Sequence, residues 1–316
     1  LLAVCLLLCL CFGAISYADI QVLDPGYKAE LYVSYADTSG TRDMVFDSGG
    51  NLYITQAATQ SITKITSDKQ VIKSWVTGLN NPCGIEFTGG TSYGNNLYVD
   101  CIDSSTVVKI DMNGNKSNFS SINAATTLEY DNTGQYGNKL YVGTSAYDRV
   151  YSVSTTGSAT AFCNSFYDLG GCIQGMDFAN SASFGYGMYI GTWYPNNTDK
   201  SGIFKVLTNG TAQRFCSNLV CSFAINYDEA GLFGGDLFAN GRENWVDSWG
   251  LYRISSNGIA SRFVNSGVGF AFGNDGALYA LDVAGQTSTV YRITPIPEPA
   301  TLALLGLGLL GLRRRK

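Results

Sequence analysis

Met44-Val45-Phe46-Asp47-Ser48-Gly49-Gly50-Asn51-Leu52-Tyr53-Ile54 reads as a short apolar strand, a turn built of Asp, Gly and Asn, and a second strand. Turn residues of this kind supply the positive φ that tight hairpins need. The second-strand pattern recurs at Leu97-Tyr98-Val99, Leu140-Tyr141-Val142, Met188-Tyr189-Ile190, Leu237-Phe238-Ala239 and Leu278-Tyr279-Ala280, at spacings of 45, 43, 48, 49 and 41 residues. A short strand precedes each turn, as at Ile85-Glu86-Phe87, Leu128-Glu129-Tyr130, Met176-Asp177-Phe178, Ile225-Asn226-Tyr227 and Phe270-Ala271-Phe272. A third strand follows each pair, ending at Lys64-Ile65, Lys109-Ile110, Ser152-Val153, Lys205-Val206, Arg253-Ile254 and Arg292-Ile293, and a fourth follows another turn.

Four short strands in a unit of about 45 residues, repeated six times, predict an all-β, six-bladed β-propeller with four-stranded antiparallel blades. The last unit stops after its third strand at Ile293, and Ala29-Glu30-Leu31-Tyr32-Val33-Ser34-Tyr35 precedes the first. That amino-terminal strand is expected to close blade six and to pair an edge left open otherwise.

Composition agrees with strands and tight turns, with 37 Gly, 20 Tyr and 16 Phe in 316 residues. The net charge is −5, and it moves to near −8 once four carboxyl-terminal cations and Glu298 are removed. This balance argues against nucleic acid and anionic membrane surfaces as partners. Histidine is absent. That excludes Ser-His-Asp and Cys-His nucleophile arrangements and His-ligated zinc or copper. Gly90-Thr91-Ser92-Tyr93-Gly94 matches a nucleophile elbow in spelling, but it lacks a base and falls in an expected hairpin turn.

Both ends read as addresses. Leu1 to Phe12 is almost wholly apolar, and Ser16-Tyr17-Ala18 presents small residues at the positions a signal peptidase reads. Residues 1–18 are therefore expected to be a signal peptide whose start is truncated, and residues 19–295 the propeller. Val4-Cys5 and Leu8-Cys9 do not fit a lipoprotein anchor, which needs a small residue before its cysteine. From residue 296 the chain runs through Pro297-Glu298-Pro299, an apolar stretch from Ala300 to Leu312, and Arg313-Arg314-Arg315-Lys316. That stretch is shorter than the roughly 20 residues of a membrane span, which suits transient membrane contact. The cations would stay on the cytoplasmic side.

Pro-Glu-Pro, a short Leu/Gly-rich helix and an arginine cluster, in that order, closely resemble the PEP-CTERM sorting signal. The resemblance implies recognition and cleavage by an exosortase during bacterial export, and display at the cell surface or in the extracellular matrix.

Six cysteines follow the expected cleavage point, an even number in an exported chain, so disulfides are the default expectation. Their places in the repeat suggest Cys83–Cys101, Cys163–Cys172 and Cys216–Cys221; free thiols are the alternative.

Two constellations are candidate sites. In a propeller the blade-to-blade linkers and the loops joining second to third strands share one face, and blades four and five have the longest such loops. These hold Trp193, Tyr194, Asn197 and Asp199, and Arg242, Glu243, Trp245 and Trp249. Aromatic rings beside amides, carboxylates and Arg suit a sugar or a protein hot spot, although rings can also simply pack long loops down. The second constellation is a column of mid-strand residues lining the axis: Val45, Glu86, Glu129, Asp177, Asn226 and Ala271. Oxygen donors from Glu86, Glu129, Asp177 and Asn226 suit Ca²⁺ or Mg²⁺, or else hold the backbone of neighbouring strands.

The repeat also resembles the NHL and SMP-30/gluconolactonase-like propellers in its Phe46-Asp47-x-x-Gly50-Asn51-Leu52-Tyr53 spelling. SMP-30-like enzymes hold a catalytic divalent metal in the channel with carboxylates and Asn, so the resemblance implies a metal-dependent hydrolase or lactonase as one function. The leading expectation is a non-enzymatic surface or matrix propeller binding an exopolysaccharide or a surface protein through the loops of blades four and five.

Overall fold

The structure is a computed structural model that describes residues 20–37, 40–145, 149–164, 172–193, 201–243, 247–267 and 269–297. Its strands form six antiparallel sheets of four. The closing strand β1 is Tyr27–Ala36. Blade one comprises β2 (Thr41–Phe46), β3 (Leu52–Gln56), β4 (Ser61–Ile65) and β5 (Val71–Thr77). Blade two comprises β6 (Pro82–Phe87), β7 (Asn96–Cys101), β8 (Thr106–Asp111) and β9 (Lys116–Ser121), and blade three β10 (Ala125–Tyr130), β11 (Leu140–Thr144), β12 (Val150–Val153) and β13 (Ala159–Cys163). In blade four lie β14 (Cys172–Ala179), β15 (Gly187–Trp193), β16 (Gly202–Val206) and β17 (Ala212–Cys216). Blade five has β18 (Val220–Tyr227), β19 (Leu237–Arg242), β20 (Gly250–Ile254) and β21 (Ala260–Val264). Blade six is β22 (Gly269–Phe272), β23 (Leu278–Ala284) and β24 (Thr287–Pro295), closed by β1 on its outer edge.

The expected closure is therefore the one found. β1 pairs with β24 from Tyr27 opposite Pro295 to Ala36 opposite Thr287, with a bulge between Leu31 and Val33. An unforeseen strap precedes it. Val22 bridges Val264, Leu23 N donates to Phe263 O at 2.8 Å, and buried Ile20 joins a core shared by blades five and six. The amino-terminal segment thus ties blade five before it completes blade six.

Blades adhere face to face because period-2 alternation gives each strand an apolar side. Tyr53, Ile62 and Val76 of blade one pack with Ile85, Leu97, Val99 and Val108 of blade two, and similar clusters fill the other interfaces. The recurrent second-strand rings Tyr53, Tyr98, Tyr141 and Tyr189 are essentially inaccessible to solvent, so each Tyr-for-Ala exchange would lose about 3–5 kcal/mol, the scale of a large buried ring.

Inner strands run from the linker face to the opposite end, here termed the turn face, where first-to-second and third-to-fourth strand turns gather. Turn-face corners are locked by side chains. Asp131 Oδ2 accepts from Tyr136 N and Asn138 N, both at 2.9 Å, and its Oδ1 accepts from the Thr133 backbone and hydroxyl. The Tyr136 hydroxyl donates to Val206 O at 2.6 Å and accepts from Met188 N at 3.0 Å, latching blade three to blade four. Tyr93 latches blade two to blade three in the same way. Tyr93 also disposes of the elbow-like spelling, since it lies buried in a hairpin turn.

The disulfide expectation is corrected. Cys83 and Cys101 are buried free thiols. Cys101 stands opposite Pro82, and Cys83 falls in the bulge before Ile85 pairs with Val99, so the two are not cross-strand partners. Cys163 and Cys172 are not bonded to each other, and Cys216 is a buried free thiol. The linkers that these residues bracket run from the outermost strand of one blade to the innermost strand of the next. Three strand spacings amount to roughly 14 Å, while a disulfide needs Cα atoms within about 7 Å. Nothing is described of the Cys221 side chain.

Candidate functional site

Along the axis, the six mid-strand residues share one register. Val45, Glu86, Glu129, Asp177, Asn226 and Ala271 stand opposite Tyr53, Tyr98, Tyr141, Tyr189, Phe238 and Tyr279. The structure thus brings all four polar candidates together around a narrow cavity of about 60 Å³, lined by Glu86, Glu129 and Asn226, and a wider one of about 450 Å³, lined by Glu129, Asp177 and Asn226. The wider cavity opens on the turn face, where Asn132, Glu229 and Asn274 form its rim.

Two carboxylates of this group escaped the sequence reading. Asp43 lies two residues before Val45 on the same side of β2 and lines the narrow cavity. At the corresponding position the other blades carry Gly84, Thr127, Gly175, Ala224 and Gly269. The crowding is severe there: a Cβ on Gly84 would approach Asp100 Oδ2 to 2.6 Å and the Thr127 Cα to 2.9 Å. A lone Asp among small residues, in phase with the column, was the available signal. Glu229 comes from the blade-five turn and accepts from Asn132 Nδ2 of blade three. No repeat position pointed to it.

Burial raises the carboxyl pKa throughout the column. Asp43 is pushed up to about 7, two backbone N–H groups opposing the effect. Glu86 and Glu129 lie well above the usual carboxylate range through desolvation, reinforced by Asp177 beside Glu86 and by Glu86 beside Glu129. Asp177 is raised by burial and by Glu229.

The column does not fit a divalent metal. Both Asp177 oxygens are engaged, Oδ1 accepting from Phe178 N at 2.6 Å and Oδ2 from Tyr227 N at 2.5 Å on the next blade. Asp43 likewise accepts from Met44 N and from Ile85 N across the blade boundary, and Asn226 Nδ2 donates to Phe270 O at 3.5 Å. Among the described residues no group of three or more His, Cys, Asp or Glu is arranged to hold a metal ion. These contacts make Asp43, Asp177 and Asn226 clips between adjacent blades, which for Asp177 and Asn226 is the alternative role open from the sequence.

On the linker face, Trp249 is 38% exposed. The Arg242 guanidinium lies 4.8 Å from its ring centroid. Arg262 Nη2 holds the backbone beneath it, donating to Ser248 O at 3.1 Å, Ser248 Oγ at 2.8 Å and Trp249 O at 3.0 Å. Glu243 is exposed beside Arg242. Trp193 behaves differently: it ends β15 opposite Cys172, half-buried, with its indole Nε1 enclosed and without a hydrogen-bond partner. Tyr194, Asn197, Asp199 and Trp245 lie outside the described residues, as do Glu298, Pro299 and Arg313, Arg314 and Arg315.

Residues 295–316 match the model of the PEP-CTERM protein-sorting motif. No curated protein matches the chain. Solved structures share its architecture at low identity. A gluconolactonase from Xanthomonas campestris is 10% identical with a TM-score of 0.61, covering 83% of this chain and 88% of its own. An auxiliary nutrient binding protein from Bacteroides thetaiotaomicron is 13% identical with a TM-score of 0.58, covering 82% and 69%. Virginiamycin B lyase from Staphylococcus aureus, solved with quinupristin, is 16% identical with a TM-score of 0.55, covering 81% and 80%. Identities this low show the fold alone. The chain is a six-bladed β-propeller, architecturally similar to gluconolactonase-like proteins, and its carboxyl-terminal PEP-CTERM motif marks it as an exported protein sorted by an exosortase.

Proposed function

We propose that this is a non-enzymatic surface propeller that binds a polysaccharide on its linker face, through the loops of blades four and five. The observation that carries the reading is Trp249. Its ring stays exposed while Arg242 covers one side and Arg262 holds the Ser248–Trp249 segment with three hydrogen bonds, one of them to the Trp249 carbonyl. A ring that served only to pack its loop would be buried. An exposed ring on a fixed backbone loses little entropy when a flat sugar face stacks on it, and Arg242 and Glu243 supply directional polar groups at its edge. Export to the surface supplies the setting, and the Bacteroides nutrient-binding neighbour shows that this architecture accommodates binding proteins.

A glycan array probed with the refolded propeller, followed by titration of any hit, tests the reading. Trp249→Ala is expected to cost about 1–2 kcal/mol of affinity, roughly ten-fold, the scale of an aromatic hot spot. A protein surface as ligand would show the same loss with no glycan hit. Binding that survives both Trp249→Ala and Arg242→Ala would remove the linker face from consideration.

A further inference from the structure

We infer that the turn face of blades four to six is the surface this protein lays against the lipid bilayer while its sorting segment is membrane-engaged. The inference rests on that transient engagement, and it concerns a face of the propeller that the proposed glycan site does not use.

The geometry begins where the chain leaves the fold. β24 is a third strand, so it ends on the turn face, and Ile296 N donates to Gly26 O at 2.8 Å just beyond it. Only Pro297, Glu298 and Pro299 separate Ile296 from the apolar stretch that opens at Ala300. Four residue steps reach at most about 14 Å even when fully extended. The propeller therefore cannot stand clear of the interface, and the face at the exit point must be the near one. A six-residue inner strand places the linker face about 20 Å farther away.

The near face has the chemistry for that contact. Leu232 is 43% exposed, Tyr186 51%, Ile259 63% and Ile296 48%, and all four lie in turn-face loops or at the exit itself. Three of them surround the Asp24–Tyr27 turn, and Tyr186 lies in the blade-four turn: Gly26 holds Ile296, the Tyr27 hydroxyl donates to Leu232 O, and Leu23 joins Ile259 in one groove with Asp24 and Arg253. Most charges within the patch are paired, Arg253 with Asp236 at 2.6 Å and Asp24 at 3.7 Å, and Arg292 with Asp275 at 2.8 Å, two cations against three carboxylates. An acidic protein thereby presents apolar side chains among charges that are mostly paired, with a Tyr of the kind that favours the headgroup region. On this arrangement the turn-face cavity looks towards lipid, and Trp249 points away from the membrane.

Hydroxyl-radical footprinting of the full chain in phosphatidylcholine vesicles, compared with the full chain in detergent micelles, tests the orientation. Tyr186, Leu232 and Ile259 are expected to oxidise at least about threefold more slowly in vesicles, with Trp249 and Val283 unchanged. Equal slowing on both faces, slowing confined to Trp249, or no slowing would overturn the inference. The double variant Leu232→Glu, Ile259→Glu, at exposed positions that tolerate charge, separates surface contact from mere tethering. It should lose the Tyr186 protection while its tail still carries it to the vesicle pellet. Full protection of Tyr186 in the folded variant would show that the apolar patch makes no contact. If glycan binding failed while the footprint held, only the proposed function would fall.

Discussion

On the turn face, Asp131 collects four hydrogen bonds inside one corner and Tyr136 carries two more to the next blade; on the linker face, Trp249 remains exposed above a backbone held by one arginine. The same repeat builds both ends, yet the Asp131 corner spends its polar side chains on backbone groups that would be unsatisfied otherwise, whereas Trp249 and Glu243 are left to solvent. Buried backbone partners make a side chain structural; exposure on a rigid support leaves it available for recognition. The difference predicts that substitutions at the two ends will separate cleanly into losses of stability and losses of binding.

The largest effect should come from the seam that joins the ends of the ring. Deleting Tyr27–Ala36 removes the outer strand of blade six and strands the ladder edge of β24. The cost should approach the whole net stability of a domain, about 5–15 kcal/mol, so that no cooperative melt remains. A truncated propeller that melts cooperatively near the wild-type temperature would show that blade six is held by something other than β1.

Within the intact ring, Asp131→Ala should be the more damaging of two surface-loop changes. It leaves the N–H groups of Thr133, Tyr136 and Asn138 without their acceptor, at about 1 kcal/mol or more each, for a total of roughly 3 kcal/mol or more. Glu243→Ala, exposed on the linker face, should change stability by less than about 0.5 kcal/mol. Chemical denaturation of the two variants compares them directly. Similar losses at both positions would erase the contrast between the faces.

These corners also show how far the sequence could be read. Blade number, strand order and closure were legible because turn residues and the Leu-Tyr pair recur at near-constant spacing. The axial column was legible because period-2 alternation carries Glu86, Glu129 and Asp177 to one side of their strands. Hydrogen-bond destinations were not. Asp177 reads either as a metal donor or as a clip on a neighbouring strand until the Tyr227 N–H of the next blade is seen against it. Cys163 and Cys172 read as partners because they bracket one linker of the repeat, whereas Cys163 ends an outermost strand and Cys172 begins an innermost one. Glu229 belongs to the axial group only because its turn folds inward over the rim. These three concern contact between blades, which a repeat observed one copy at a time does not encode.

Between the faces, the channel carboxyls should make stability depend on pH. Their folded-state pKa values are raised above the unfolded values, near 3.9 for Asp and 4.3 for Glu. The folded protein then binds more protons than the unfolded chain between those values and the raised ones, so this contribution is fully present below about pH 4 and is lost as pH rises. For Asp43 the loss runs up to about pH 7. Melting temperature should accordingly be a few degrees higher at pH 5.5 than at pH 8, and Glu129→Gln should flatten that slope, since its amide cannot ionise. Among the described residues Glu129 has no hydrogen bond that the exchange would break. A slope that keeps its full size in the variant would mean that Glu129 does not share the column's protons. Millimolar Ca²⁺ or Mg²⁺ should leave the melt unchanged at pH 7; a clear rise would restore the channel as a cation site.

The smallest expected effect is the sharpest for the contrast. Trp249→Ala removes the ring of a residue more than a third exposed, and its loss uncovers the Arg242 guanidinium stacked on it. The Arg262 contacts are to Ser248 and to the Trp249 main chain, so they persist in the variant. A stacked exposed cation contributes about 0.5–1 kcal/mol, which bounds the expected loss. For a chain of this size that corresponds to a fall in melting temperature of roughly 1–4 °C at most, far below the fall expected for Asp131→Ala. A loss of several kcal/mol would show instead that the ring packs the loop in place, and the linker face would then be held by its side chains just as the turn face is.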